Sequence, residues 1–202
     1  MYIIGVTGPS GAGKGVLSEI LSEYGFPVID ADKVYHSVIT PPSKCLDELA
    51  NYFGNGIISS DGTLDRARLS NIVFNKDQPE KLEMLNKITH AHVCKRIFAH
   101  IDELKLRGEH VCVIDAPLLI EAGLNNKCDL LIAVIADKAL RAVRIAKRDS
   151  ISEDRAYERI NAQKSDEFYS SATDYVIYNN GDTVDVKKAI DDILAERKVL
   201  LI

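Results

Sequence analysis

Apolar positions follow two different periods along this chain, and the changes of period mark out its parts. Residues 2–6 (YIIGV) are a short continuous apolar run, as expected of a strand buried on both faces. From Lys14 onward the apolar positions become Val16, Leu17, Ile20, Leu21 and Tyr24. That is helical spacing, and Gly25 is suited to stop it. Pro27-Val28-Ile29-Asp30 reads as a second short buried strand. Together these segments predict a strand–loop–helix–strand unit with its strands parallel.

Between about residues 33 and 107 the pattern turns helical. Apolar positions 45, 46, 49, 52 and 53 predict a helix over Lys44–Phe53, stopped by Gly54. Asp61-Gly62 marks a turn, and Asp65 is placed to cap a helix over Arg66–Phe74. Pro79 suits the first turn of a long helix reaching Leu106, with Gly108 as its stop. Strand-like runs then return at Val111–Asp115, Leu130–Ala136 and Tyr175–Tyr178, alternating with helices over Lys138–Arg148 and Val184–Arg197. Residues 149–172, polar and charged, read as a mobile helical segment. Strands separated by helices predict a doubly wound α/β sheet interrupted by a helical insertion.

Composition narrows the function without naming it. A chain of 202 residues that is 46% hydrophobic and 27% charged can build one domain with a real core. Its net charge of −5 argues against a general nucleic-acid binder. No apolar run approaches the roughly 18 residues of a membrane span, and no secretory leader is expected at Met1-Tyr2-Ile3. Cys45, Cys94, Cys112 and Cys128 are scattered, which points to reduced thiols in the cytoplasm rather than to a disulfide framework.

The candidate chemistry begins at GPSGAGKGVL, directly after the first strand. Gly8, Gly13 and Lys14 fit a phosphate-binding loop, in which backbone N–H groups and a helix start surround phosphate oxygens. The pattern ordinarily continues with Ser or Thr, whose hydroxyl helps to hold Mg²⁺. Here Gly15 and Val16 stand instead. A water can fill the vacant metal position, so the expectation is activity with looser metal binding.

Asp30-Ala31-Asp32 ends the second strand, at the sheet edge where ligands of such folds gather. Read as extended backbone, it points both carboxylates the same way, toward a cleft where one can orient or deprotonate an attacking hydroxyl. The competing reading is a helix cap with an accompanying acid. Asp115 ends the third strand, where a carboxylate supports Mg²⁺ through water, or else caps a turn before Pro117. Arg141, Arg144, Lys147 and Arg148 share helical spacing, with Arg155 and Arg159 beyond. Such a run is commonly a solvated face; beside a phosphate loop it becomes a lid of cations for a moving phosphoryl group. His90, His92 and Cys94 match no standard zinc spacing.

VTGPSGAGKG, VIDAD, LDRARLSNIVF, KITHAHV, APLLIEAGL, VRIAKRD, SEDRAYERINAQ and DYVIYNNG occur in this order over nearly the whole chain. In that combination the chain resembles the dephospho-coenzyme A kinase family, which is similar in fold to nucleoside monophosphate kinases. The resemblance implies a P-loop three-layer α/β/α architecture with a five-stranded parallel sheet. The core would cover about 1–32 and 109–202, a coenzyme-binding helical insertion about 33–108, and a lid about 149–172.

The implied activity is transfer of the γ-phosphoryl group of ATP, with Mg²⁺, to the 3′-hydroxyl of dephospho-coenzyme A. Gly8, Gly11, Ala12, Gly13, Lys14, Gly15 and Val16 would form the ATP phosphate loop, and Asp32 would be the base. His90 would lie in the coenzyme-binding part, and Leu118, Leu119 and Glu121 would line the acceptor cleft. Arg144 and Arg148 would meet ATP phosphates, Arg159 and Gln163 would belong to the lid, and Asn179 would lie near the adenine. The chain departs from the family pattern at Gly15-Val16, where Ser-Thr is usual, and at His90-Ala91, where His-Pro is usual. Two rivals remain: a kinase for another nucleoside or nucleotide, and a nucleotide-binding regulator without catalysis.

Overall fold

The computed structural model describes residues 1–75 and 78–201. Its elements run β1 (Tyr2–Thr7), α1 (Lys14–Glu23), β2 (Val28–Asp30), α2 (Ala31–Val38), α3 (Lys44–Phe53), α4 (Arg66–Val73) and α5 (Pro79–Leu106). There follow β3 (Val111–Asp115), β4 (Leu130–Ile135), α6 (Lys138–Asp149), α7 (Glu153–Asn161), α8 (Asp166–Ala172), β5 (Tyr175–Tyr178) and α9 (Thr183–Glu196). The chain divides into two compact units: Met1–Asp30 with Glu103–Ile202, and Ala31–Asp102.

In the first unit, the strands among the described residues form one sheet in the order β2-β3-β1-β4-β5, every pairing parallel. This is the doubly wound arrangement that the alternating pattern predicts. β1, β3 and β4 are almost continuously apolar because helices cover both faces of the sheet. Leu17, Ile20 and Leu21 of α1 and Val186, Ile190 and Leu194 of α9 pack into one core with Ile4, Val6, Val113 and Ile132. Tyr169 of α8 packs with Ala133 and Ile135 of β4 in a separate cluster. The register sets Val6 of β1 beside Asp115 of β3. The loop after β1 therefore starts level with a carboxylate on the adjacent strand.

The segment 149–172 consists of two helices joined by a turn. Ser152 caps α7 by accepting from the Arg155 N–H, and Ser165 caps α8 by accepting from the Phe168 N–H. α7 is pinned to α6 by a small core of Ala142, Ile145, Ala156 and Ile160.

The second unit is helical, built around Ile39, Cys45, Leu49, Ile57, Leu69 and Val73. Asp65 caps α4 as the sequence suggests, accepting from the Arg68 N–H at 2.9 Å, and Ser43 caps α3 by accepting from the Leu46 N–H at 3.1 Å. One local expectation is corrected. Asp30-Ala31-Asp32 is not one extended stretch, because β2 ends at Asp30 and α2 begins at Ala31. Apolar positions 31, 34, 35 and 38 carry helical spacing, and that spacing prevails over continuation of the strand. Asp32 is thus an exposed acid in the first turn of a helix, where the helix dipole favours it.

Candidate active site

The loop from Gly8 to Gly13 joins β1 to α1 in the first unit. Its backbone requires glycine at two points in particular. Gly8 has φ 139°, and a Cβ there would meet the Val134 carbonyl oxygen at 2.2 Å. Gly13, at φ 100°, is the left-handed N-cap of α1, and no side chain caps that helix. The positive end of α1 is therefore presented by backbone groups alone, as a phosphate site needs. The Lys14 ammonium folds back to donate to the Gly8 carbonyl at 3.2 Å.

Residues remote in sequence hold this loop in shape. Asn179, buried at the end of β5, donates its amide to the Ala12 carbonyl at 2.8 Å. The Arg144 guanidinium lies 3.3 Å from both the Gly11 and the Ala12 carbonyls. Arg148 donates to the Ser10 hydroxyl at 3.2 Å and is also paired with Asp149. Hydrogen bonds from Arg148, with the nearby charge of Arg159, hold the Asp149 carboxyl below the usual carboxylate range. The arginines expected at ATP phosphates thus gather against the phosphate loop, with Arg159 joined to them through Asp149.

Arg141 differs from its neighbours. Its side chain is only 2% exposed, so it is no part of a solvated face. It donates to the Ser10 carbonyl at 3.0 Å and to Gln163 Oε1 at 2.7 Å, and it faces Asp166 at 3.7 Å. The same Gln163 oxygen accepts from the Ser10 N–H at 3.1 Å. One glutamine of the α7–α8 turn therefore ties α6 to the phosphate loop. Burial pulls the Arg141 guanidinium below its ordinary value, and Asp166 opposes that pull.

At the carboxyl end of β3, Ser18 of α1 donates to Asp115 Oδ2 at 2.7 Å. The PLLIEAG segment after it is a series of tight turns, closed by Ala122 N to Leu118 O at 2.9 Å and Gly123 N to Ile120 O at 3.0 Å. Leu118 and Glu121 are exposed there. Leu119, expected in the acceptor cleft, is instead fully buried. In the second unit, His90 lies half-buried on α5, and His92 pairs with Glu48 at 3.0 Å. Among the described residues no group of three or more His, Cys, Asp or Glu side chains is placed to hold a metal ion. Magnesium asks for less, one or two carboxylates and several waters. Asp115 beside the phosphate loop, with open space at Gly15, fits that demand.

The reading from sequence missed Ser18 and the inward turn of Arg141. Ser18 carried a signal: it is a polar residue between Leu17 and Ile20 on the apolar stripe of α1. Arg141 carried none that separates it from Arg144 or Arg148.

Comparison with known proteins points to one family. The profile of the family described as dephospho-CoA kinase matches residues 2–185. A dephospho-CoA kinase from Corynebacterium glutamicum is 37% identical over 196 residues, covering 97% of each chain. A crystal structure from Thermus thermophilus superposes with a TM-score of 0.81 at 28% identity, over 96% of this chain and 97% of that one. A dephospho-CoA kinase from Campylobacter jejuni gives a TM-score of 0.69 at 25% identity, over 99% and 98%.

Proposed function

The chain belongs to the dephospho-CoA kinase family, and from that premise we infer that it transfers the γ-phosphoryl group of ATP to the 3′-hydroxyl of dephospho-coenzyme A. The products are coenzyme A and ADP, and the reaction is the final step of coenzyme A biosynthesis. The observation that carries this reading is the convergence of Lys14, Arg144 and Arg148 on a glycine loop at an uncapped helix start.

Phosphoryl transfer asks a protein mainly for positioning and for charge complementary to the moving group. Loop N–H groups and Lys14 bind the β- and γ-phosphates. Arg144 and Arg148 neutralise charge as the phosphoryl group leaves ADP. Arg159 steadies Arg148 through their shared carboxylate, and Gln163 fixes the loop at Ser10. Asn179 holds the loop from the end of β5, on the side assigned to the adenine. Asp32 accepts the proton of the attacking 3′-hydroxyl, while His90, Leu118 and Glu121 serve the acceptor. Mg²⁺, when bound with ATP, would supply further positive charge at the phosphates, held through Asp115 by way of water. The four cysteines, none in a disulfide, suit a cytoplasmic setting.

The test is ADP release from ATP and Mg²⁺ with and without dephospho-coenzyme A, then with AMP or adenosine as acceptor. ADP that depends on dephospho-coenzyme A is the expected result. ATP binding without acceptor-dependent ADP would favour a regulator instead, and a preference for AMP or adenosine would favour another kinase specificity.

A further inference from the structure

The loop lacks the hydroxyl that ordinarily follows its lysine, yet the carboxylate at the end of β3 is not left to wander. Ser18 Oγ donates to Asp115 Oδ2 at 2.7 Å, and Ser18 is only 8% exposed. Ser18 stands three residues beyond Gly15, on the same side of α1, about 4.5 Å further along the axis. At Gly15 itself an added Cβ would meet nothing within 4 Å, so the position where a serine would stand is open and accessible to water.

We propose that Ser18 is the positioning residue of the metal site. By holding Asp115 from one turn deeper in α1, it sets the orientation of the carboxylate that supports the metal, while the open space beside Gly15 is left to water. The proposal rests on the reading of this loop as an ATP·Mg²⁺ site. Its chemistry follows from the geometry. A serine hydroxyl has one proton to give, and giving it to Oδ2 fixes the rotation of the carboxylate. The carboxylate then faces metal-bound water in a set orientation. Partners that orient a metal site in this way are worth about 10- to 100-fold in metal affinity. Ser18 is set too far along the helix to be a ligand in place of residue 15, so it acts only through Asp115.

The experiment measures ADP affinity by calorimetry in excess EDTA and at saturating Mg²⁺. Its readout is the ratio of the two dissociation constants, which needs no turnover. In the unaltered protein Mg²⁺ should tighten ADP binding. Ser18→Ala should leave the metal-free affinity near its original value and reduce the magnesium gain by about tenfold. Ser18→Thr should keep the gain. A Ser18→Ala protein with the full magnesium gain would overturn the proposal. So would equal losses with and without metal, which would mark Ser18 as merely structural. These outcomes are separate from the kinase reading, which stands or falls on acceptor-dependent ADP release by the unaltered protein.

Discussion

Replacing Arg141 by methionine should cost stability first and activity second, whereas the same change at Arg148 should do the reverse. The Arg141 guanidinium is buried and makes two charge-assisted hydrogen bonds, to the Ser10 carbonyl and to Gln163. Each such bond is worth about 1.5–3 kcal/mol. The Asp166 partner at 3.7 Å is 42% exposed and adds little. Methionine fills much of the volume and relieves the cost of burying a cation, which offsets part of the loss. The net expectation is about 3 kcal/mol, and at roughly 2–4 °C per kcal/mol for a chain of this size the melting temperature should fall by about 6–12 °C. Differential scanning fluorimetry without nucleotide measures it directly. Arg148, with its side chain 59% exposed, should lose little in melting temperature as methionine but much of kcat. A melting temperature for Arg141→Met within about 2 °C of the parent protein would refute the argument, because the buried bonds would then hold nothing together.

Alanine should discriminate between the loop glycines. At Gly8 it collides with a backbone carbonyl that cannot move aside and should abolish soluble enzyme or ATP binding, while at Gly15 it meets no neighbour and should leave ATP binding intact; filter binding of labelled ATP compares the two. Asp32→Asn should lower kcat by about 100-fold with little change in the ATP KM, and a near-normal kcat in steady-state assays would remove Asp32 from the role of base. Burial pushes the Cys45 and Cys112 thiols up to about 11 and Cys128 up to about 12. In the unfolded chain these thiols ionise near pH 8.5, so above that pH the unfolded state binds fewer protons than the folded one and stability falls as pH rises. Stability should be complete below about pH 8.5 and decline through pH 11, by up to about 1.4 kcal/mol per pH unit for each thiol. Equal urea midpoints at pH 8 and pH 10 would contradict this.

The sheet was legible because burial on both faces leaves little choice of residue: VCVID, LLIAVI and YVIY read as strands and occupy β3, β4 and β5. The helix over Pro79–Leu106 was legible from its proline start and glycine stop. Asp30-Ala31-Asp32 was misread because two residues carry no period by themselves, and the helical spacing that decides the matter starts at Ala31 and needs four more residues to show. The loop itself was plain, since glycine at positive φ is a local demand. Its support was not. Hydrogen bonds that Asn179, Gln163 and Arg141 make with residues 10 and 12 join positions that only the folded chain brings together. Nothing in a one-dimensional pattern separates an arginine that turns inward from its neighbours that turn outward.

That separation also bears on how the protein is made. The first strand and the glycine loop are synthesised within the opening tenth of the chain, but the groups that fix the loop follow 131, 153 and 167 residues later. Such contacts are slow to form, because a long chain must close before they can repay it. A nascent chain halted at residue 160 already contains every glycine of the loop and Lys14, yet has neither Gln163 nor the strand that precedes Asn179. Competence to grip a phosphate is therefore acquired near the end of translation, so an interrupted product would carry the loop without the means to use it.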